Sequence, residues 1–294
     1  MASRHFFKRH QGRASYDLFS SYSYFLPDLK GMIMLLVMAG VGTLLGNLMI
    51  LCLTLAFSLQ FAETYGLVIS YPLMFIPPMI YASYQSRKTE IWGELEGIPD
   101  GGIQLDSNRF GTIGGFKLAL IVSVATLAAA FIAEPVSLLL PEMPEKWQKA
   151  MEMLTEGPLW ITLISVSVFA PFFEEWLCRG LVLRGMLQKL NPFSAIAVSA
   201  AFFAVLHMNP WQAIPAFLLG LLFGYVYYKT GSLKLTILMH CVNNTFAALL
   251  TRIPSLSDAE SFMDIMSPWA YACIFVACVL IVCSSLVIIR GIKD

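Results

Sequence analysis

The sequence predicts an all-α, polytopic membrane helix bundle of about eight transmembrane helices with both termini cytoplasmic. Three observations predict it. Of 294 residues, 57% are hydrophobic and only 13% are charged, whereas soluble domains carry about 25% charged residues. The apolar residues fall in long blocks almost free of charge, and roughly 20 such residues cross the hydrocarbon core as a helix. Lysine and arginine also alternate along the chain as the positive-inside bias requires.

The spans are expected at Gly31–Leu59, Tyr65–Tyr84, Gly114–Leu140, Leu159–Leu187, Pro192–Leu206, Trp211–Tyr228, Leu233–Leu250 and Pro268–Ile289. The fourth is long and the fifth short. With the N-terminus inside, all of the 19 lysines and arginines except Lys146, Lys149 and Arg252 fall on the cytoplasmic side or in the spans' cytoplasmic ends. That split supports an even number of crossings. The resulting organisation is a cytoplasmic tail (1–30), a membrane-embedded domain (31–290) with its motif-bearing core at 159–250, and a short cytoplasmic tail (291–294). The first thirty residues are mostly polar and do not read as a signal peptide. There is no internal repeat.

Two connections are longer than the others. Gln85–Gly115 is expected to be cytoplasmic and contains GELEGIPDGG, which reads as turns rather than as helix or strand. Pro141–Pro158 is expected on the opposite side, with a short amphipathic helix around Trp147, Met151 and Leu154. Formal net charge is zero, which gives no reason to expect nucleic acid as a partner. The expected partners are the lipid bilayer and a peptide or lipidated-protein substrate. Cys52, Cys178, Cys241, Cys273, Cys278 and Cys283 all lie in apolar stretches without zinc or disulfide spacing, and read as small buried hydrophobes.

Ionisable groups inside a span are costly and usually functional. Here they cluster. The fourth span reads PFFEEWLCRG and carries Glu174, Glu175 and Arg179. The fifth reads FFAVLHM, with Phe203 and His207 four apart, and the seventh reads LMHCVNNTF, with His240 and Asn244 four apart. The other two histidines, His5 and His10, lie in the N-terminal tail.

Spacing suggests roles. Residues four apart share a helix face, so Glu175 and Arg179 form an ion pair that partly neutralises an expensive buried charge. Glu174 lies about 100° round the helix from Glu175. It is therefore free to face the bundle centre and to serve as a general base. Phe203 is placed to fix the His207 ring. His240 and Asn244 offer two hydrogen-bond donors from one face, suited to a developing oxyanion. Depth fits less well. Counted along their helices, Glu174 and His207 lie roughly 22 Å from opposite span ends, and His240 only about 10 Å in.

These three patterns, Glu-Glu-x-x-x-Arg, Phe-x-x-x-His and His-x-x-x-Asn, occur in this order across successive spans. Together they resemble the CPBP family of intramembrane proteases (type II CAAX prenyl endopeptidase, bacteriocin-processing or Abi). The resemblance covers about Leu159–Leu250. It implies an eight-span helical fold with a cavity open to the cytoplasm, in a bacterial-type plasma membrane. It implies that Glu174 with His207 activates the attacking water, that His240 and Asn244 stabilise the oxyanion, and that Glu175 and Arg179 support the site. Both metal-free and zinc readings attach to the family. Glu174, His207 and His240 would be the zinc set, but no His-Glu-x-x-His pair is present, and a metal-free glutamate mechanism without cofactor is preferred.

Two other functions use similar residues. Buried Glu and His also mark the ion pathways of transporters, although carriers often show repeated halves and this chain does not. A non-catalytic membrane scaffold is the third reading. The aromatic-rich LPDLK and YPLMF stretches read as interface belt and core, not as sites.

Overall fold

The structure, a computed structural model, describes residues 19–95, 102–137, 139–155, 157–253 and 261–292. The N-terminal tail before Phe19 and residues 96–101 of the GELEGIPDGG stretch lie outside the described residues, so the expectations placed on them are not addressed. Every principal element is helical: α1 (Leu29–Ala56), α2 (Leu59–Leu95), α3 (Gly115–Ser137), α4 (Glu145–Thr155), α5 (Leu159–Met186), α6 (Pro192–Leu206), α7 (Pro210–Thr230), α8 (Leu233–Leu250) and α9 (Pro268–Arg290). Seven of these are long and apolar enough to cross a membrane, and the chain is a multi-pass integral membrane protein.

The expected fifth span, α6, has 15 residues. That is about 22 Å of helix, short of a hydrocarbon core of about 30 Å. It nevertheless runs between the two ends of the bundle. It follows directly on α5, whose last turn carries Arg184 beside Tyr22 and Phe25. It leads into Trp211, whose indole donates to Pro141 O at 2.8 Å, beyond the far end of α3.

Start signals in the sequence are used as the physical rules anticipate. Asp28, Asn191, Asn209, Ser232 and Ser267 each accept a backbone N–H in the first turn of α1, α6, α7, α8 and α9. Gly231 closes α7 in the left-handed conformation at φ 62°, where a residue without Cβ meets no penalty. The amphipathic α4 forms over Glu145–Thr155.

α2 corrects the reading of its loop. The helix continues to Leu95, 37 residues in all, so Gln85–Leu95 is helix rather than turn. SRKTEIWGEL holds no proline and is rich in straight-chain residues with good helix propensity. Further up, Pro72, Pro77 and Pro78 lie inside α2. Each proline removes a main-chain N–H and leaves the carbonyl four residues earlier without its helical donor. Pro78 frees Met74 in this way, and α1 packs there through Gly42 and Gly46, where a Cβ on Gly42 would collide with the Met74 carbonyl. This is a small-xxx-small contact of membrane helices.

α5 is the centre of the bundle. Of its most apolar window 56% is enclosed by protein, against 11% for α9 and 17% for α1. Its backbone leaves the α-helical ladder twice, as π-helix over Leu163–Phe169 and Trp176–Leu183. Such turns frequently mark functional sites. Neighbouring side chains take up carbonyls of both segments. Asn244 Nδ2 donates to Val166 O at 2.7 Å, and Ser199 Oγ to Cys178 O at 2.9 Å.

One end of the bundle is tied by polar contacts. Arg184 is fully buried, and its guanidinium donates to the carbonyls of Tyr22 (2.7 Å), Phe25 (2.8 Å) and Ile103. Asp106 accepts from Leu233 N at 2.9 Å and from Ser232 Oγ at 3.1 Å, at the start of α8, and pairs with Lys234 at 2.9 Å. The cysteines are only partly the buried hydrophobes expected: Cys178 is buried, but Cys52, Cys273 and Cys283 are exposed on the apolar outer surface.

Candidate active site

The site is built on the short α-helical stretch Ala170–Glu175, between the two π segments of α5. Pro171 near its start and the flanking π-turns set this stretch apart within the span. Glu175 is fully buried, and its Oε1 accepts from Arg179 Nη1 at 2.6 Å. Arg179 is equally buried; its Nη2 donates to Gly220 O of α7 at 3.1 Å. Its guanidinium lies 4.7 Å from the ring of Phe203 and 5.4 Å from that of Phe223. A carboxylate, a carbonyl and two aromatic faces thus surround one buried cation, the environment that makes such a charge tolerable.

His240 of α8 sits between the two acids. Its Nδ1 is 3.1 Å from Glu175 Oε1, and its Nε2 is 3.8 Å from Glu174 Oε2. Glu175 Oε1 already accepts from Arg179, so it is an acceptor towards His240 as well, and Nδ1 is the donor. The depth mismatch expected from residue counting disappears. α8 starts at Ser232, pinned to Asp106, whereas Glu174 lies twelve residues before the end of α5 at Met186, and the π-turn between them fits more residues into each turn.

Glu174 is more accessible than Glu175, with 14% of its side-chain surface exposed. Its Oε1 accepts a hydrogen bond from Tyr71 of α2 at 2.5 Å. Its Oε2 is buried and has no hydrogen-bond partner among the described residues. Tyr71 belongs to the YPLMF stretch read from the sequence as belt and core, and that reading is corrected: the ring packs as core, but the hydroxyl reaches the candidate base. No motif spacing links α2 to α5, and only the presence of a hydroxyl in an apolar, proline-broken helix hinted at it.

His207 caps the C-terminal end of α6. Its Nδ1 lies 3.0 Å from Phe203 O, and a carbonyl can only accept, so Nδ1 carries the proton and Nε2 is the free acceptor in the neutral ring. Phe203 packs edge-on against both His207, at 5.0 Å between centroids, and His240, at 5.4 Å. The structure therefore gathers Glu174, Glu175, Arg179, Phe203 and His240 directly and brings in His207 through Phe203. Among the described residues His207 makes neither a hydrogen bond nor an ion pair with Glu174. The next residue, Met208, is exposed and held at φ 49°, a left-handed conformation that a non-glycine residue adopts only at some cost.

Asn244 lies one turn beyond His240. One of its amide hydrogens is committed to Val166 O at 2.7 Å, and its Oδ1 accepts from Asn243 at 3.1 Å. Its carboxamide is thereby oriented against the π segment that precedes Glu174. A further intramembrane acid, Glu134, lies in α3. It stands outside this cluster and accepts from Ser261 Oγ at 2.5 Å, Tyr271 Oη at 2.6 Å and Phe262 N at 3.2 Å, which makes it a fully engaged structural group.

Among the described residues no three of His, Cys, Asp or Glu stand where they jointly hold a metal ion. The alternative zinc set of Glu174, His207 and His240 is not brought together: among the described residues His207 makes no ion pair with Glu174.

Residues 156–246 match the family model "Type II CAAX prenyl endopeptidase Rce1-like". A stretch of 110 residues is 26% identical to the "Putative membrane peptidase YdiL" of Bacillus subtilis (strain 168), covering 37% of this chain and 44% of the relative. The chain thus spans less than half the length of the curated relative it matches. No solved structure matches the chain. The matched segment holds α5 to α8 with all three motifs, and over it the chain is similar to the Rce1-like type II CAAX prenyl endopeptidases.

Proposed function

We propose that the chain is an intramembrane endopeptidase that hydrolyses a peptide bond with water activated by Glu174 and His207. The observation that carries this reading is the placement of His240 between Glu174 at 3.8 Å and Glu175 at 3.1 Å, inside a helical bundle. Intramembrane acids and histidines that converge in this way are expensive and call for a function.

Glu174 Oε2 accepts a proton from water, with His207 Nε2 as the second acceptor on the same water. The oxygen adds to the peptide carbonyl and generates a tetrahedral oxyanion. His240, through Nε2, and the remaining amide hydrogen of Asn244 donate to that oxygen. The C–N bond then breaks, and the leaving amine takes the proton that the base had accepted. Glu175 and Arg179 act through His240, fixing the ring by its Nδ1.

The substrate is a membrane-associated peptide or lipidated protein. The similarity to prenyl endopeptidases supports this class, as does a site enclosed by spans. Both termini and the mouth of the site are assigned to the cytoplasmic side, supported by the lysine and arginine distribution. Arg184, Arg109 and Lys234 cluster at one end of the bundle, while Lys149 lies on α4 and Arg252 bonds Gly157 O at 2.5 Å at the other.

The reading is tested with purified protein in lipid nanodiscs, a quenched-fluorescent farnesylated CAAX peptide and ¹⁸O-labelled water. Hydrolysis places one ¹⁸O in the new C-terminal carboxylate. Intact peptide after prolonged incubation sinks the peptidase reading and favours a carrier or scaffold.

A further inference from the structure

Tyr71 lies 103 residues before Glu174 and outside every motif, yet its hydroxyl donates to Glu174 Oε1 at 2.5 Å. Its position is set by packing on several sides. The ring stacks on Phe75 at 5.7 Å, and Phe75 stacks on Phe173, the neighbour of Glu174, at 5.0 Å. α2 is itself seated on α1 through Gly42 and Gly46, one turn beyond Tyr71 at Met74.

The two oxygens of Glu174 are therefore unequal. Oε1 is held by Tyr71. Oε2 is buried, has no hydrogen-bond partner among the described residues and faces His240 Nε2 at 3.8 Å. A carboxylate on a flexible stem points one oxygen at a reacting water only when the other is held, because catalytic groups need their geometry fixed to about half an ångström. We infer that Tyr71 is a positioning residue for Glu174: it holds Oε1 from α2 and so presents Oε2 to the reacting water. The inference rests on the peptidase reading above. It brings the first hairpin, which carries none of the family motifs, into the construction of the site.

The test compares wild type, Tyr71→Phe, Glu174→Gln and the double variant in nanodiscs. Tyr71→Phe keeps the ring and its stacking, so unfolding temperature is expected to stay within a few degrees of wild type. With the farnesylated quenched peptide, kcat is expected to fall by roughly 10-fold to 100-fold, the range for losing a hydrogen bond to a charged group. KM is expected to stay within about twofold, because the hydroxyl contacts the base and not the substrate. Infrared difference spectra supply a readout that needs no turnover. Wild type minus Tyr71→Phe is expected to contain a carboxylate-stretch difference that vanishes when both proteins carry Glu174→Gln.

Wild-type kcat in an active Tyr71→Phe protein overturns the inference and leaves the peptidase reading standing, as does a carboxylate difference that persists without Glu174. Failure of the wild type to cleave overturns the peptidase reading and this catalytic role with it, while the infrared comparison still reports the Tyr71–Glu174 bond.

Discussion

Glu175 Oε1 is shared between Arg179 Nη1 at 2.6 Å and His240 Nδ1 at 3.1 Å. The second acid of the pair is therefore more than a counter-ion. It links the buried cation of α5 to the histidine of α8 and turns the imidazole so that Nε2 faces Glu174. Glu175→Gln retains the shape but weakens both bonds. The expected result is a fall in kcat of about 10-fold to 100-fold with little change in KM, read by steady-state cleavage of a farnesylated peptide.

Arg179 carries the opposite risk. Both partners are fully buried, and removing one leaves an uncompensated charge. Arg179→Ala is expected to destabilise the fold by about 3–5 kcal/mol, seen as a lower unfolding temperature and poor recovery from detergent. Arg179→Lys is not a neutral exchange, since a point charge cannot serve Glu175 and Gly220 O together while stacking on Phe203.

Arg184 yields a prediction about structure rather than chemistry. Its guanidinium holds Tyr22, Phe25 and Ile103 by their carbonyls. Arg184→Met is expected to orphan these carbonyls and to release both segments. Hydrogen exchange should then rise at residues 22–25 and 103–109, with little change in α9. Unchanged protection in both segments would contradict the clamp.

Gly42 packs against the Met74 carbonyl that Pro78 leaves free. Gly42→Leu is expected to force α1 away from α2 and lower the unfolding temperature, whereas Gly40→Leu is expected to be nearly neutral because no atom lies near its Cβ position. Equal effects would show that the close approach is unimportant.

Much of this architecture is legible in the sequence, for physical reasons that also mark where legibility stops. Charge-free apolar blocks reveal spans because hydrocarbon leaves a backbone few options, and Leu233–Leu250 and Pro192–Leu206 fall where expected, each behind a capping Asn or Ser. Glu174, Glu175, Arg179 and His240 are legible because charges are rare in such blocks. Tyr71 is not, since a tyrosine in an apolar helix is ordinary and its partner is 103 residues away. The π-turns of α5 are not legible either. They leave the hydrophobic pattern intact and change only the backbone ladder, which is how Asn244 comes to spend one donor on Val166. Arg184 reads as a boundary charge and is in fact fully buried, because its partners are main-chain carbonyls that no residue type announces.

Glu174 and His207 are proposed to act on one water. The most direct measurement is single-turnover cleavage of the farnesylated peptide by wild type, Glu174→Gln, His207→Ala and the double variant, with folding checked by unfolding temperature. Each single variant is expected to lose on the order of 10²-fold to 10⁴-fold in rate, and the double variant little more than the worse single one, because residues that act as a unit are not additive. A folded Glu174→Gln protein that cleaves at the wild-type rate would contradict the account.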